Sequence, residues 1–198
     1  MSKLNRKFFF DTVRQRLFGG KLSQSQVEGM TAILDYWEEN WAGKDDRWLA
    51  YAFGTVFWET DQKMQPITEY GKDSYFNKYE GRRDLGNTEK GDGLKFKGRG
   101  FVQITGRRNY ALVGRIHGVD FISNPEKVLE LDNAVWIMFY GMYQGIFTGV
   151  GFEMFFTHSN LSKREDWVGA RKIINGKDKA NQIADIAKKF YSAISYTN

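Results

Sequence analysis

The stretch over residues 47–59 does most to limit what this chain can become. Trp48, Leu49, Tyr51, Phe53, Val56, Phe57 and Trp58 cover nearly every face of a helix there, and a helix that is apolar all round has to be enclosed by other elements. Asp45 and Asp46 are placed to cap its start. The rest of the chain supplies the wrapping. Residues 8–17 read as a short helix stopped by Gly19-Gly20. Ser23 and Gln26 form a capping box for a helix carrying Val27, Met30, Ile33, Leu34, Trp37 and Trp41 at helical spacing. Further helices are expected near residues 107–117, from about 133 to 147 and from about 179 to 194. Pro125, after Ser123 or Asn124, marks another start, and Ser162 with Glu165 a second capping box.

Between residues 60 and 100 the apolar periodicity vanishes, and Gly, Asp, Asn, Lys and Tyr dominate. A loop of that length inside a compact domain is more often functional than idle. One brief strand is expected at residues 101–105. The 198 residues suffice for one domain with a continuous core. The expected architecture is a single mainly α domain over residues 1–198, two-lobed around a cleft, with a loop-rich insert at about 60–106 and at most a very small β element.

Composition narrows the chemistry. Without cysteine there are no disulfides or thiolate metal sites, and no Cys–His peptidase. Only His117 and His158 are present, with no HExxH spacing. No metal site and no cofactor are expected. What remains for hydrolysis is carboxylate acid/base work. Lys and Arg number 29 against 24 Asp and Glu, a net charge of +5. Such a balance draws a protein toward nucleic acid, membrane surfaces or an anionic bacterial wall. The cations are scattered without a tract or an arm, so no nucleic-acid partner is expected. The start of the chain does not read as a signal peptide. The most apolar run, 135–147, is interrupted by Gly141, Gln144 and Gly145 and is too short to cross a bilayer. A soluble protein made in the cytoplasm, without stable membrane insertion, is expected.

Glu59 closes the enclosed helix on the face of Trp48, Ala52, Thr55 and Val56. A carboxyl at the mouth of an apolar helix is poorly solvated and keeps its proton more readily, as the general acid of glycosidic cleavage must. Glu69, ten residues on, is a second carboxylate that loop could bring across a cleft. A separation of about 6.5–9.5 Å would leave room for a water and imply inversion. Asp61, Asp73, Glu80, Asp84, Glu89 and Asp92 are its rivals, and spacing does not choose among them. Farther on, Gly98-Arg99-Gly100 lets backbone approach something closely. Gln103 and Thr105 would share one face of the expected strand, offering an amide and a hydroxyl of the kind that bind N-acetyl sugars and place a water.

Four segments, in order, resemble the signature of glycoside hydrolase family 19, the chitinases and phage endolysins. They are Phe57-Trp58-Glu59-Thr60, Gln65-Pro66-Ile67-Thr68-Glu69, the string from Gly98 to Asn109-Tyr110, and Ala170-Arg171-Lys172-Ile173-Ile174-Asn175-Gly176. Leu85-Gly86-Asn87-Thr88 with Gly91-Asp92-Gly93 resembles the phage and bacterial branch, and Leu17 to Leu22 the start of small phage endolysins. The resemblance implies a lysozyme-like fold with Glu59 as general acid, Glu69 as the base that activates water, and Thr105 helping to hold that water. It puts Gln103, Asn109, Tyr110 and Asn175 at substrate-binding positions, Tyr110 with the alternative of packing beside the cleft.

The chain departs from the family pattern in three ways. Trp58 replaces a His, Asp61-Gln62 replaces a frequent Gly-Gly, and Gln182 stands near where many members keep an Arg. The first two are expected to make proton loss from Glu59 harder. The resemblance implies an inverting hydrolase of peptidoglycan glycan strands, a monomeric endolysin that acts on the wall after release from an infected bacterium; a holin-type partner for that release is compatible with it. A chitinase, or a non-catalytic wall-binding relative, are the alternatives.

Overall fold

The computed structural model describes residues 3–158 and 163–197. In chain order its elements are β1 (Lys3–Leu4), α1 (Arg6–Leu17), α2 (Gln24–Asn40), α3 (Asp46–Glu59), β2 (Ile67–Thr68), α4 (Asp92–Lys95), β3 (Arg99–Gly100), α5 (Arg107–His117), α6 (Leu131–Gln144), β4 (Phe156–His158), β5 (Lys163–Glu165), α7 (Ala180–Tyr191) and β6 (Tyr196–Thr197). Short 3-10 segments lie between them, among them Asp73–Tyr79, Arg83–Leu85, Pro125–Leu129 and Gly169–Ile173. The fold is mainly α, as expected. The chain divides into two compact units, Met1–Met64 with Met138–Asn198, and Gln65–Ile137.

In the first unit, α3 is the axis. Every residue from Arg47 to Phe57 is buried, as its all-round apolar character requires. The Asp45 side chain accepts from the Arg47 amide at 3.0 Å and caps it. The closest neighbour is α7: a Cβ added at Gly54 would lie 2.8 Å from Ala187 Cβ, so these two small residues set how near the helices come. Phe9 of α1 joins Phe53 and Phe190 in one aromatic cluster, with ring centroids 5.0–6.3 Å apart. The capping box at Ser23 forms with both its bonds. β1 pairs antiparallel with β6, Leu4 opposite Tyr196, and β4 with β5, Phe156 opposite Glu165. These pairings were not foreseen. Strands of two or three residues carry no alternation to read, and Glu165 lies in a strand where a helix start was expected. Its partner in that capping box, Ser162, lies outside the described residues.

The second unit holds the loop-rich segment, and polar bonds do there what apolar periodicity does elsewhere. The Glu80 carboxylate accepts from the amides of Gly91 and Gly93 at 2.7 and 2.8 Å. Asp92, 1% exposed, accepts from Arg107 Nε at 2.9 Å. Buried Asn87 donates to the Tyr79 carbonyl and accepts from the Arg107 amide. Phe76, Phe96, Phe101, Tyr110 and Phe121 fill the core beneath. The expected strand at 101–105 does not form. β3 ends at Gly100, paired with Ile67 of β2, and Gln103 takes a left-handed φ of 54°, which no regular strand admits. Only Ile104 returns to bridge Arg99. A tight turn, with Gly100 at φ 89°, takes the strand's place.

Candidate functional site

In the first unit, Glu59 stands on the last turn of α3, its side chain 18% exposed. Arg171, on the 3-10 turn Gly169–Ile173, donates from Nη1 to Glu59 Oε1 at 2.6 Å while only 4% exposed itself. Its Nε donates to the Asp178 carbonyl at 3.1 Å, which fixes the plane of the guanidinium. The poorly solvated carboxyl expected at the end of the helix has a partner that the sequence reading did not include: a buried cation faces it. Arg171 lies inside a segment that carried the family resemblance, yet helical spacing could not show that it meets a residue 112 positions earlier. The same α3 row, at i−4 and i−8 from Glu59, carries Thr55 and Tyr51, both wholly buried. Burial pushes the Tyr51 phenol up, with Asp166 and Glu59 adding to the effect and Arg171 opposing it.

The turn after Glu59 is unusual. Asp61, Gln62 and Met64 have φ of 49°, 63° and 52°, the left-handed region where glycine is free of strain and other residues are not. The two positions where family members often keep Gly-Gly are thus ones whose backbone favours glycine. Thr60 steadies the turn by donating to the Val56 carbonyl at 2.7 Å and accepting from the Met64 amide at 3.1 Å. Asn175 is exposed, and its Oδ1 accepts from the Gly176 amide at 2.7 Å, just beyond the Arg171 turn.

In the second unit, Glu69 follows β2. Its Oε1 accepts from Lys78 Nζ at 2.9 Å and from the Tyr79 hydroxyl at 3.1 Å, and its Oε2 from the Gly98 amide at 3.2 Å. Lys78 lies 3.6 Å from the Tyr75 ring centroid and 4.6 Å from that of Tyr79. Against the effect of burial, the hydrogen bonds that it donates to Tyr75, Glu69 and Tyr79 hold its ammonium well above the usual lysine range. Four of the six rivals of Glu69 are bound elsewhere: Glu80 to two glycine amides, Asp84 to Arg82, and Glu89 and Asp92 to Arg107.

The turn beside Glu69 holds the other named residues. Gln103 Nε2 donates to the carbonyls of Ile67 and Gly100 at 3.1 and 3.0 Å. Thr105 Oγ1 donates to the Gln103 carbonyl at 2.9 Å, and Asn109 Nδ2 to the Thr105 carbonyl at 2.8 Å. Thr105 and Asn109 are half-buried. Tyr110 is placed otherwise than a sugar-binding residue would be: its ring is 0% exposed. Its hydroxyl donates to the Lys97 carbonyl at 2.8 Å and accepts from Arg99 at 3.0 Å, and burial pushes the phenol up to about 12. A ring with no free face braces the loop from below. Lys78 and Tyr79 had no role in the sequence reading, because their contacts with Glu69 span 9 and 10 positions of aperiodic chain. Among the described residues no cluster of His, Asp and Glu could hold a metal ion, and no helix is long and apolar enough to cross a membrane.

No protein-family model matches the chain. A glycosyl hydrolase family 19 domain-containing protein of Haemophilus influenzae is 41% identical over 63 residues, which is 29% of this chain and 30% of that relative's length. Among solved structures, chitinase C from Streptomyces griseus superposes with a TM-score of 0.57 at 15% identity, over 96% of this chain and 75% of the other. A bacterial family 19 chitinase gives the same TM-score at 16% identity, over 96% of this chain and 93% of its own. Such low identity speaks for the fold, the lysozyme-like mainly α fold of those enzymes, while the shorter match speaks for the sequence. By sequence over one segment this chain is similar to a glycosyl hydrolase family 19 domain-containing protein, and over nearly its whole length it shares the fold of chitinase C and of a bacterial family 19 chitinase.

Proposed function

We propose that this protein is an endolysin-type glycoside hydrolase that cuts peptidoglycan glycan strands with inversion at the anomeric carbon. Glu59 gives its proton to the leaving sugar oxygen, and Glu69 takes one from the attacking water. Thr105 helps to place that water, while Gln103, Asn109 and Asn175 contact the glycan. The observation that carries this reading is Glu59 itself: a carboxyl at the end of an enclosed helix, still reached by solvent, and oriented by a buried arginine. The arginine fixes the direction in which that carboxyl faces. The +5 net charge favours an anionic wall as the polymer. In this reading the enzyme is stored in the cytoplasm of an infected bacterium and reaches the wall after release, through a holin-type partner.

A chitinase is the second reading, favoured by the names of the two solved structures with the same fold. Turbidity clearing of chloroform-treated Gram-negative cells by the wild type and by Glu59→Gln tests the first reading. Clearing by the wild type alone is expected; equal clearing, or none by either, overturns it. Proton NMR of the first products formed should show the inverted anomer, and mass spectrometry of them identifies the bond cut. Release of N-acetylglucosamine oligomers from chitin without clearing would establish the second reading instead.

A further inference from the structure

Two acceptor oxygens converge beside Glu69. A Cβ built on Gly98 would lie 3.0 Å from Gln103 Oε1 and 3.1 Å from Glu69 Oε2, so both oxygens lie against the same side of that glycine. Their orientations are set by other bonds. Gln103 Nε2 is committed to two backbone carbonyls, which leaves Oε1 as the outward acceptor. Glu69 Oε1 is taken by Lys78 and Tyr79, and Oε2 by the Gly98 amide alone. A carboxylate offers about four acceptor positions. Three are filled, and the remaining one is on Oε2.

We propose that Glu69 Oε2 and Gln103 Oε1 together hold the water that attacks the sugar, so that Gln103 acts on the nucleophile. This rests on the hydrolase reading above and changes the part Gln103 plays in it. One water proton points to each oxygen, which turns a water lone pair outward. As the bond from water oxygen to the anomeric carbon forms, the proton facing Glu69 passes to Oε2. The other stays on the new hydroxyl, and the departing oxygen takes its proton from Glu59. Lys78 is a positioning residue: it pins Oε1 and leaves Oε2 as the basic atom.

The test compares the wild type, Gln103→Met and Gly98→Ala on whichever of soluble peptidoglycan strands and glycol chitin the wild type cleaves. Gly98→Ala keeps both amide bonds of Gln103 and crowds the two oxygens, so it stands in if Gln103→Met fails to fold. Each variant should lose at least about thirty-fold in kcat with KM within twofold of wild type. In the Glu59→Gln background, chitohexaose affinity by calorimetry should not change on adding Gln103→Met. A kcat within threefold of wild type in Gly98→Ala, or a fivefold loss of chitohexaose affinity on adding Gln103→Met, overturns the inference and leaves the hydrolase reading standing. Cleavage of neither polymer by the wild type overturns both.

Discussion

Replacing Arg171 by Met should expose how much the end of α3 depends on one ion pair. The guanidinium is 4% exposed and its partner carboxyl 18%, with 2.6 Å between the bonded atoms. Breaking a fully buried pair by removing one partner costs about 3–5 kcal/mol, because the other charge is left without compensation. Here solvent still reaches Glu59 and relieves part of that cost, which brings the expected loss to about 2–3 kcal/mol. For a chain of this size that is a fall of roughly 5–10 °C in Tm. Urea unfolding of the wild type, Arg171→Met, Glu59→Gln and the double variant supplies the cycle. If the pair acts as described, the double variant is less destabilised than the sum of the singles, with a coupling of about 1–2 kcal/mol. Arg171→Lys should recover only part of the loss, since one ammonium cannot hold the planar two-sided contact to Glu59 and the Asp178 carbonyl. Additive singles, or an Arg171→Met loss below about 0.5 kcal/mol, would refute the reasoning.

Three further outcomes follow from the packing and the backbone. Gly54→Ala should improve helix propensity by about 1 kcal/mol yet melt lower by calorimetry. Its new methyl would sit 2.8 Å from Ala187 Cβ, and overpacking costs about 1–3 kcal/mol; adding Ala187→Gly should restore stability. Gln62→Gly relieves about 1–2 kcal/mol of left-handed strain against about 0.5–1 kcal/mol of lost backbone order. A gain near 0.5–1 kcal/mol in denaturant unfolding is the net of these, and a loss would show that the Gln62 side chain contributes more than its backbone costs. The third concerns Asp92, whose carboxyl Arg107 holds below the usual range against the effect of burial. A depressed carboxyl contributes stability at pH above its unfolded value of about 4 and loses it as pH falls through the folded value. Asp92→Asn should therefore cost about 1–3 kcal/mol at pH 7 and flatten the fall in stability below pH 4, measured by urea unfolding at pH 2.5 to 7.

Much of the helical frame was legible because the signals were local and redundant. The Ser23 box, the Asp45 cap and the all-round apolar face of α3 each name a backbone position within a few residues of its cause. Boundaries moved only slightly: α6 begins at Leu131 and α7 at Ala180. The insert was legible only as an absence of pattern. Its order comes from Glu80, Asn87, Asp92 and Arg107, whose bonds reach 3 to 20 residues along the chain. The error at residues 101–105 has a plain cause. Alternating polar and apolar residues suit a strand, but they also suit a turn in which Val102 and Ile104 are buried and Gln103 bends back on the carbonyls of Ile67 and Gly100.

By itself the sequence determined that residues 47–59 would be an enclosed helix and that Glu59 would end it, since both follow from the period of a helix and the aversion of aromatic surface to water. It also supplied the carboxylates and, through motif order, the family resemblance. Only the tertiary structure decided which side chains face them. Arg171 meets Glu59 across 112 residues, Lys78 and Gly98 settle on Glu69, and Tyr110 turns inward. Such pairings depend on where separate segments come to rest in space, and no local period records that.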